Sequence, residues 1–123
     1  MQKALLENNP LLKLTFAFSL LVIEYCEELE KEKRFIVAKQ LIRSGTSVGA
    51  NAMEAQNAES KADFIHKIKI AAKEADETQY WLLLCEGSKN YPDCKLLQLK
   101  LEEIQKILNK ILATAKRSGQ LAH

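Results

Sequence analysis

Apolar side chains recur along this chain at alternating steps of three and four residues, and each sustained run of that rhythm predicts a helix. The clearest run is Phe64, Ile68, Ala71, Ala75, Thr78, Leu82 and Cys85, which puts one seam on a helix over about residues 61–86. Ser60 stands at its N-cap position with Asp63 three residues on, and Gly87 follows the last seam residue. A second run, Ala38, Leu41, Gly45, Val48, Ala52 and Ala55, keeps the rhythm through Ser44-Gly45-Thr46-Ser47 and Gly49. Local propensity alone would read that stretch as a turn. The seam survives only if one helix passes through the glycines, so a continuous helix is expected over about residues 33–57. Each mid-helix glycine costs about 1 kcal/mol relative to alanine. That loss is offset if Gly45 and Gly49 let a neighbouring helix backbone approach closely.

Asn9 and Pro10 offer a cap and a first-turn proline for a helix over about residues 10–31. It carries two stripes, Leu11, Leu14, Phe18, Leu21, Tyr25 and Leu12, Phe16, Ile23, Cys26, more apolar surface than one seam needs. Leu97, Leu101, Ile104, Leu108 and Ile111 mark a fourth helix over about residues 92–116. Residues 1–8 read as a short flexible arm and 118–123 as a frayed tail, leaving one domain. The connection near Glu27 to Arg34 is short, which makes the first two helices antiparallel neighbours. No stretch alternates apolar and polar residues over a strand length, so the class is all-α.

Composition changes this picture little. At 123 residues the chain can bury a core without metal or disulfide, and its three cysteines form no CxxC pair, which points to a reducing cytoplasm. Lys13 and Glu24 interrupt the first helix, so neither a membrane span nor a signal peptide is expected. The net charge is only +2, but it is unevenly spread: residues 1–32, 33–58, 59–87 and 88–123 carry −3, +3, −2 and +4. The second and fourth helices are the basic ones.

Candidate chemistry is sparse. His66 and His123 fit no metal-ligand spacing, Ser44 and Ser47 lack a base, and the glycines of SGTSVG follow no strand. No catalytic residue, metal, cofactor or small-molecule substrate is therefore expected. The cations available to nucleic acid are Lys39, Arg43, Lys61, Lys67, Lys73, Lys110, Lys116 and Arg117. Tyr80 and Trp81 could stack on bases, yet their helical spacing beside Leu82 suits core or interface.

A polar face on the second helix, with Gln40, Ser44 or Arg43, Ser47, Asn51 and Glu54, confronts one on the third, with Asp63, Lys67, Glu74 and Glu77. It reads either as a solvated face with weak surface pairs or as a polar ladder fixing register. If the two helices are antiparallel and turn near residue 59, residues whose numbers add to about 118 lie level. Arg43 then reaches Glu74 first and Glu77 as the alternative, and Lys67 lies a turn from Glu54. Such a pair would withdraw Arg43 from any nucleic-acid surface.

The segments RSGTSVGAN (Arg43 to Asn51), Glu54-Ala55, SKADFIHK (Ser60 to Lys67) and KEADETQYW (Lys73 to Trp81), with Phe16, Ala17 and Phe18, resemble one bacterial family. It is the 23S ribosomal RNA intervening-sequence proteins, which include the accessory variability determinant of diversity-generating retroelements; the likeness covers about residues 8–112. The resemblance implies an antiparallel up-down-up-down four-helix bundle assembled as a ring-shaped homopentamer. It further implies binding to RNA or DNA, or to a nucleic-acid enzyme such as a reverse transcriptase, without catalytic residues. The competing expectation is a purely structural protein–protein module.

Overall fold

The computed structural model describes residues 2–121. Among them are five helices and no strand: α1 (Gln2–Asn8), α2 (Pro10–Lys31), α3 (Phe35–Ala55), α4 (Lys61–Gly87) and α5 (Lys95–Leu121). Where the sequence pattern predicts an arm over residues 1–8, the structure has α1. Seven residues hold only Leu5 and Leu6 as anchors, too few for a period to register, but both pack against the core. Asn9 serves both neighbours. Its N–H donates to the Leu5 carbonyl at 3.1 Å, and its Oδ1 accepts the Leu11 and Leu12 N–H groups at 3.0 and 3.2 Å.

α3 runs unbroken through both glycines, and Ala38, Leu41, Gly45, Val48, Ala52 and Ala55 are all buried. Before it, α2 closes with Lys33 in the left-handed region at φ 62°. The Arg34 and Lys33 N–H groups donate to the Leu29 and Glu30 carbonyls, both at 2.9 Å, a Schellman pattern with lysine in the usual glycine position. α4 is capped by Ser60, whose Oγ accepts the Asp63 N–H at 3.0 Å, while Asp63 Oδ2 accepts the Glu59 N–H at 3.1 Å. α5 begins at Lys95 rather than 92, because Pro92 stands outside the helix with its carbonyl accepting the Tyr25 hydroxyl at 2.8 Å. It continues to Leu121, so the part of the expected tail up to Leu121 is helical, and Ala122 and His123 lie outside the described residues.

α2 packs on α3, α3 on α4 and α4 on α5, with α5 returning to α2, while α1 touches α2. The contacts of α3 with α4 and of α4 with α5 run antiparallel. On α3 and α4, Ser44 meets Thr78 and Glu54 meets Lys67; on α4 and α5, Lys61 meets Ser118 and Gln105 meets Asp76. The core between them is filled by Leu12, Phe18, Val22, Leu29, Leu41, Val48, Ile68, Leu82, Leu101, Ile104 and Leu108.

The glycines differ from expectation in what they face. A Cβ at Gly45 would meet Val22 Cγ1 at 2.9 Å, and one at Gly49 would meet Thr15 Cβ and Oγ1 at 3.2 Å. Both neighbours are β-branched side chains of α2 rather than a helix backbone.

Candidate interaction surfaces

Across α3 and α4 the heptad spacing turns Arg43 toward two carboxylates. Its Nη1 donates to Glu74 Oε2 at 3.3 Å and its Nη2 to Glu77 Oε2. Glu77 Oε2 also accepts the Trp81 Nε1–H at 3.0 Å. That bond first, and Arg43 second, hold the Glu77 carboxyl below its ordinary value, while the bond to Glu77 raises the Arg43 guanidinium. One turn from the connection, Lys67 Nζ lies 3.4 Å from Glu54 Oε1. These ion pairs remain partly exposed, with side-chain exposures between 22% and 60%, so each contributes under about 1 kcal/mol.

Other members of the expected ladder turn inward on their own helix. Ser47 donates to the Arg43 carbonyl at 2.6 Å and Asn51 to the Ser47 carbonyl at 2.9 Å, because a short side chain at i reaches the i−4 carbonyl more readily than a neighbouring helix. Asp63 belongs to the cap of α4, and Gln40 is half-buried on α3. The buried link between the helices joins Ser44, the alternative to Arg43 on the polar face, to Thr78, which the sequence pattern places in the apolar seam. Ser44 and Thr78, both 0% exposed, are hydrogen-bonded through their hydroxyls at 3.0 Å, and the Thr78 hydroxyl lies 2.7 Å from the Glu74 carbonyl.

The eight candidate cations do not share one face. Arg43 and Lys67 are held in the interhelix pairs. Lys39 and Lys73 are exposed on α3 and α4, and Lys116 and Arg117 are exposed near the end of α5, Arg117 reaching Thr114 Oγ1 at 3.4 Å. Lys61 and Lys110 both line a groove of about 590 Å³. Phe64, Ile65, Ile107 and Ile111 form its half-buried floor.

Apolar surface is also exposed elsewhere. On α2, Phe16, Leu20 and Ile23 are 50%, 49% and 37% exposed, a one-sided stripe at helical spacing, whereas Leu12 and Cys26 of the same predicted stripe are buried. Tyr80, Leu83 and Leu84 on α4 and Leu96 and Leu99 on α5 are exposed too. His66 is exposed, and among the described residues no group of three or more His, Cys, Asp or Glu side chains could hold a metal. No described helix is long and apolar enough to cross a membrane.

These features define an all-α protein of closely packed long helices whose open surfaces are apolar stripes and scattered lysines. The model of the family described as 23S rRNA-intervening sequence protein matches residues 7–110, and the chain belongs to that family. It is similar to a protein with unknown function from the S23 ribosomal protein family of Bacteroides thetaiotaomicron VPI-5482, solved by crystallography at 1.70 Å. The two are 37% identical with a TM-score of 0.79, over 83% of this chain and 97% of that one. No curated protein matches the chain.

Proposed function

We propose that the chain is a non-enzymatic cytoplasmic adaptor. Its four long helices form an antiparallel up-down-up-down four-helix bundle, five copies assemble into a ring, and the ring carries RNA or DNA, or a nucleic-acid enzyme such as a reverse transcriptase, on a basic surface. The observation that supports assembly is the solvent-facing stripe of Phe16, Leu20 and Ile23 on α2, apolar area that a monomer would leave in water. What supports the nucleic-acid reading is family membership, together with the exposed cations Lys39, Lys73, Lys110, Lys116 and Arg117. A modest patch gains strength when a ring repeats it, because phosphate contacts add through counterion release.

Light scattering is expected to give about 70 kDa, five copies of the 13.9 kDa chain, and a particle of one chain's mass at micromolar concentration would overturn the ring. Filter binding of single-stranded RNA is expected to weaken steeply with salt. Absence of binding at about 50 mM salt would leave the second reading, a protein–protein module. The pairing of Arg43 and Lys67 with carboxylates is the observation that favours it, since paired cations have fewer donors for phosphate.

A further inference from the structure

The groove between α4 and α5 arises from where α2 begins. Pro10, the first residue of α2, lines it beside Ile107 and Ile111, so the later turns of α5 have no α2 residue alongside. α1 does not fill the gap, because it packs on α2 and makes no contact with α5. The result is a channel with an aliphatic floor, lined also by Lys61 from α4 and Lys110 from α5. Lys61 Nζ is anchored 2.8 Å from Ser118 Oγ, a neutral partner that positions the charge without cancelling it. No carboxylate lines the groove among the described residues.

We infer that this groove is a docking site for an acidic amphipathic helix of a partner protein, its apolar stripe on Phe64, Ile65, Ile107 and Ile111 and its flanking carboxylates on Lys61 and Lys110. The floor selects against nucleic acid. RNA has no aliphatic face to bury, and among the described residues Phe64 is the one aromatic ring lining the groove, so a stack of successive bases finds no platform. A helix laid in a groove instead presents anchors at i, i+4 and i+7, matching a floor built from two neighbouring helices. The paired lysines then set specificity, since they reward flanking glutamates and repel flanking lysines. The inference rests on reading the chain as an adaptor and names the chemistry of one partner.

The test is fluorescence anisotropy of the full chain with two labelled synthetic helices of about 18 residues, sharing leucines at i, i+4, i+7 and i+11 but flanked by glutamate in one and lysine in the other. The glutamate helix is expected to bind at tens of micromolar, about tenfold more tightly than the lysine helix. A Lys61→Glu/Lys110→Glu protein should reverse that preference, and Ile111→Ser should weaken both helices about fivefold or more. Methyl chemical shifts of Ile65, Ile107 and Ile111 should move on addition of the glutamate helix. The inference is overturned if that helix does not bind below roughly 1 mM, if the two helices bind equally, or if single-stranded RNA or anionic vesicles move the same methyls. Filter binding of RNA and light scattering on the Ile111→Ser protein, which alters the groove floor and none of the candidate cations, separate the two claims. Retained RNA binding and mass alongside a failed peptide titration would sink the docking site and leave the adaptor reading standing.

Discussion

A Cβ added at Gly45 would stand 2.9 Å from Val22 Cγ1 and 3.0 Å from its Cγ2. Val22 is fully buried and its branched side chain has little rotamer freedom, so the clash cannot be relieved by swinging a flexible tip aside. Gly45→Ala gains up to about 1 kcal/mol in helix propensity and loses typically 1–3 kcal/mol to overpacking. A net loss of about 1 kcal/mol is expected. At Gly49 the nearest atoms are at 3.2 Å and the site borders an open groove with Phe16 and Met53, so Gly49→Ala should fall near neutral. Urea midpoints of the two variants check the ranking, and a stabilised Gly45→Ala protein would show that Val22 yields. The seam in the sequence places these glycines on the buried face of α3. It cannot say that valine and threonine side chains, rather than a backbone, occupy the space they leave, because that depends on the register of α2 against α3.

Between α3 and α4, long and short side chains were unequally legible. An arginine reaches a turn in either direction, so Arg43 finds Glu74 and Glu77 even from an approximate register. A serine and a threonine must be level within an ångström or so, and nothing in the sequence marks residues 44 and 78 as a pair. The pairs Ser44 with Thr78 and Glu54 with Lys67 centre the connection about one to two residues beyond residue 59, enough to hide the hydroxyl pair from helix arithmetic. Their energies rank in the opposite order to their visibility. Thr78→Val keeps shape but strips the fully buried Ser44 hydroxyl of its cross-helix partner, a cost of about 1–3 kcal/mol. Arg43→Met removes only a half-exposed pair and should cost under about 1 kcal/mol. Chemical denaturation of both, with Ser44→Ala/Thr78→Val as the double variant, is expected to show Thr78→Val as the larger loss and the double variant as less than additive. A larger loss from Arg43→Met would mean that the ion pairs, not the hydroxyls, hold the two helices in register.

The long helices of the whole molecule were readable because each keeps a seam over many turns. α1 and the groove were not, because the first has too few residues for a period and the second is an absence created by where α2 starts. The three cysteines were legible as unpaired residues, but their common fate appears only in the fold. Cys26, Cys85 and Cys94 are buried, on α2, at the end of α4 and just before α5. Burial pushes the Cys26 thiol up to about 12 and Cys94 up to about 11, and raises Cys85 as well. Tyr25, buried among them with its hydroxyl on the Pro92 carbonyl, is raised in the same direction, first by desolvation. In the unfolded chain a thiol loses its proton near the ordinary value of 9.0, whereas the folded protein keeps it until pH 11 or 12. Above pH 9 the native state therefore binds more protons, and stability must fall as pH rises, by at most about 1.4 kcal/mol per pH unit for each thiol. Below about pH 8 the thiols are protonated in both states and add no slope. Urea midpoints should accordingly be level between about pH 7 and 8 and decline from pH 9 to 10.5, with a shallower decline in Cys26→Ala, whose cavity lowers the whole curve but removes one titrating group. A Cys26→Ala profile parallel to that of the unmodified protein would show that the alkaline loss comes from other groups.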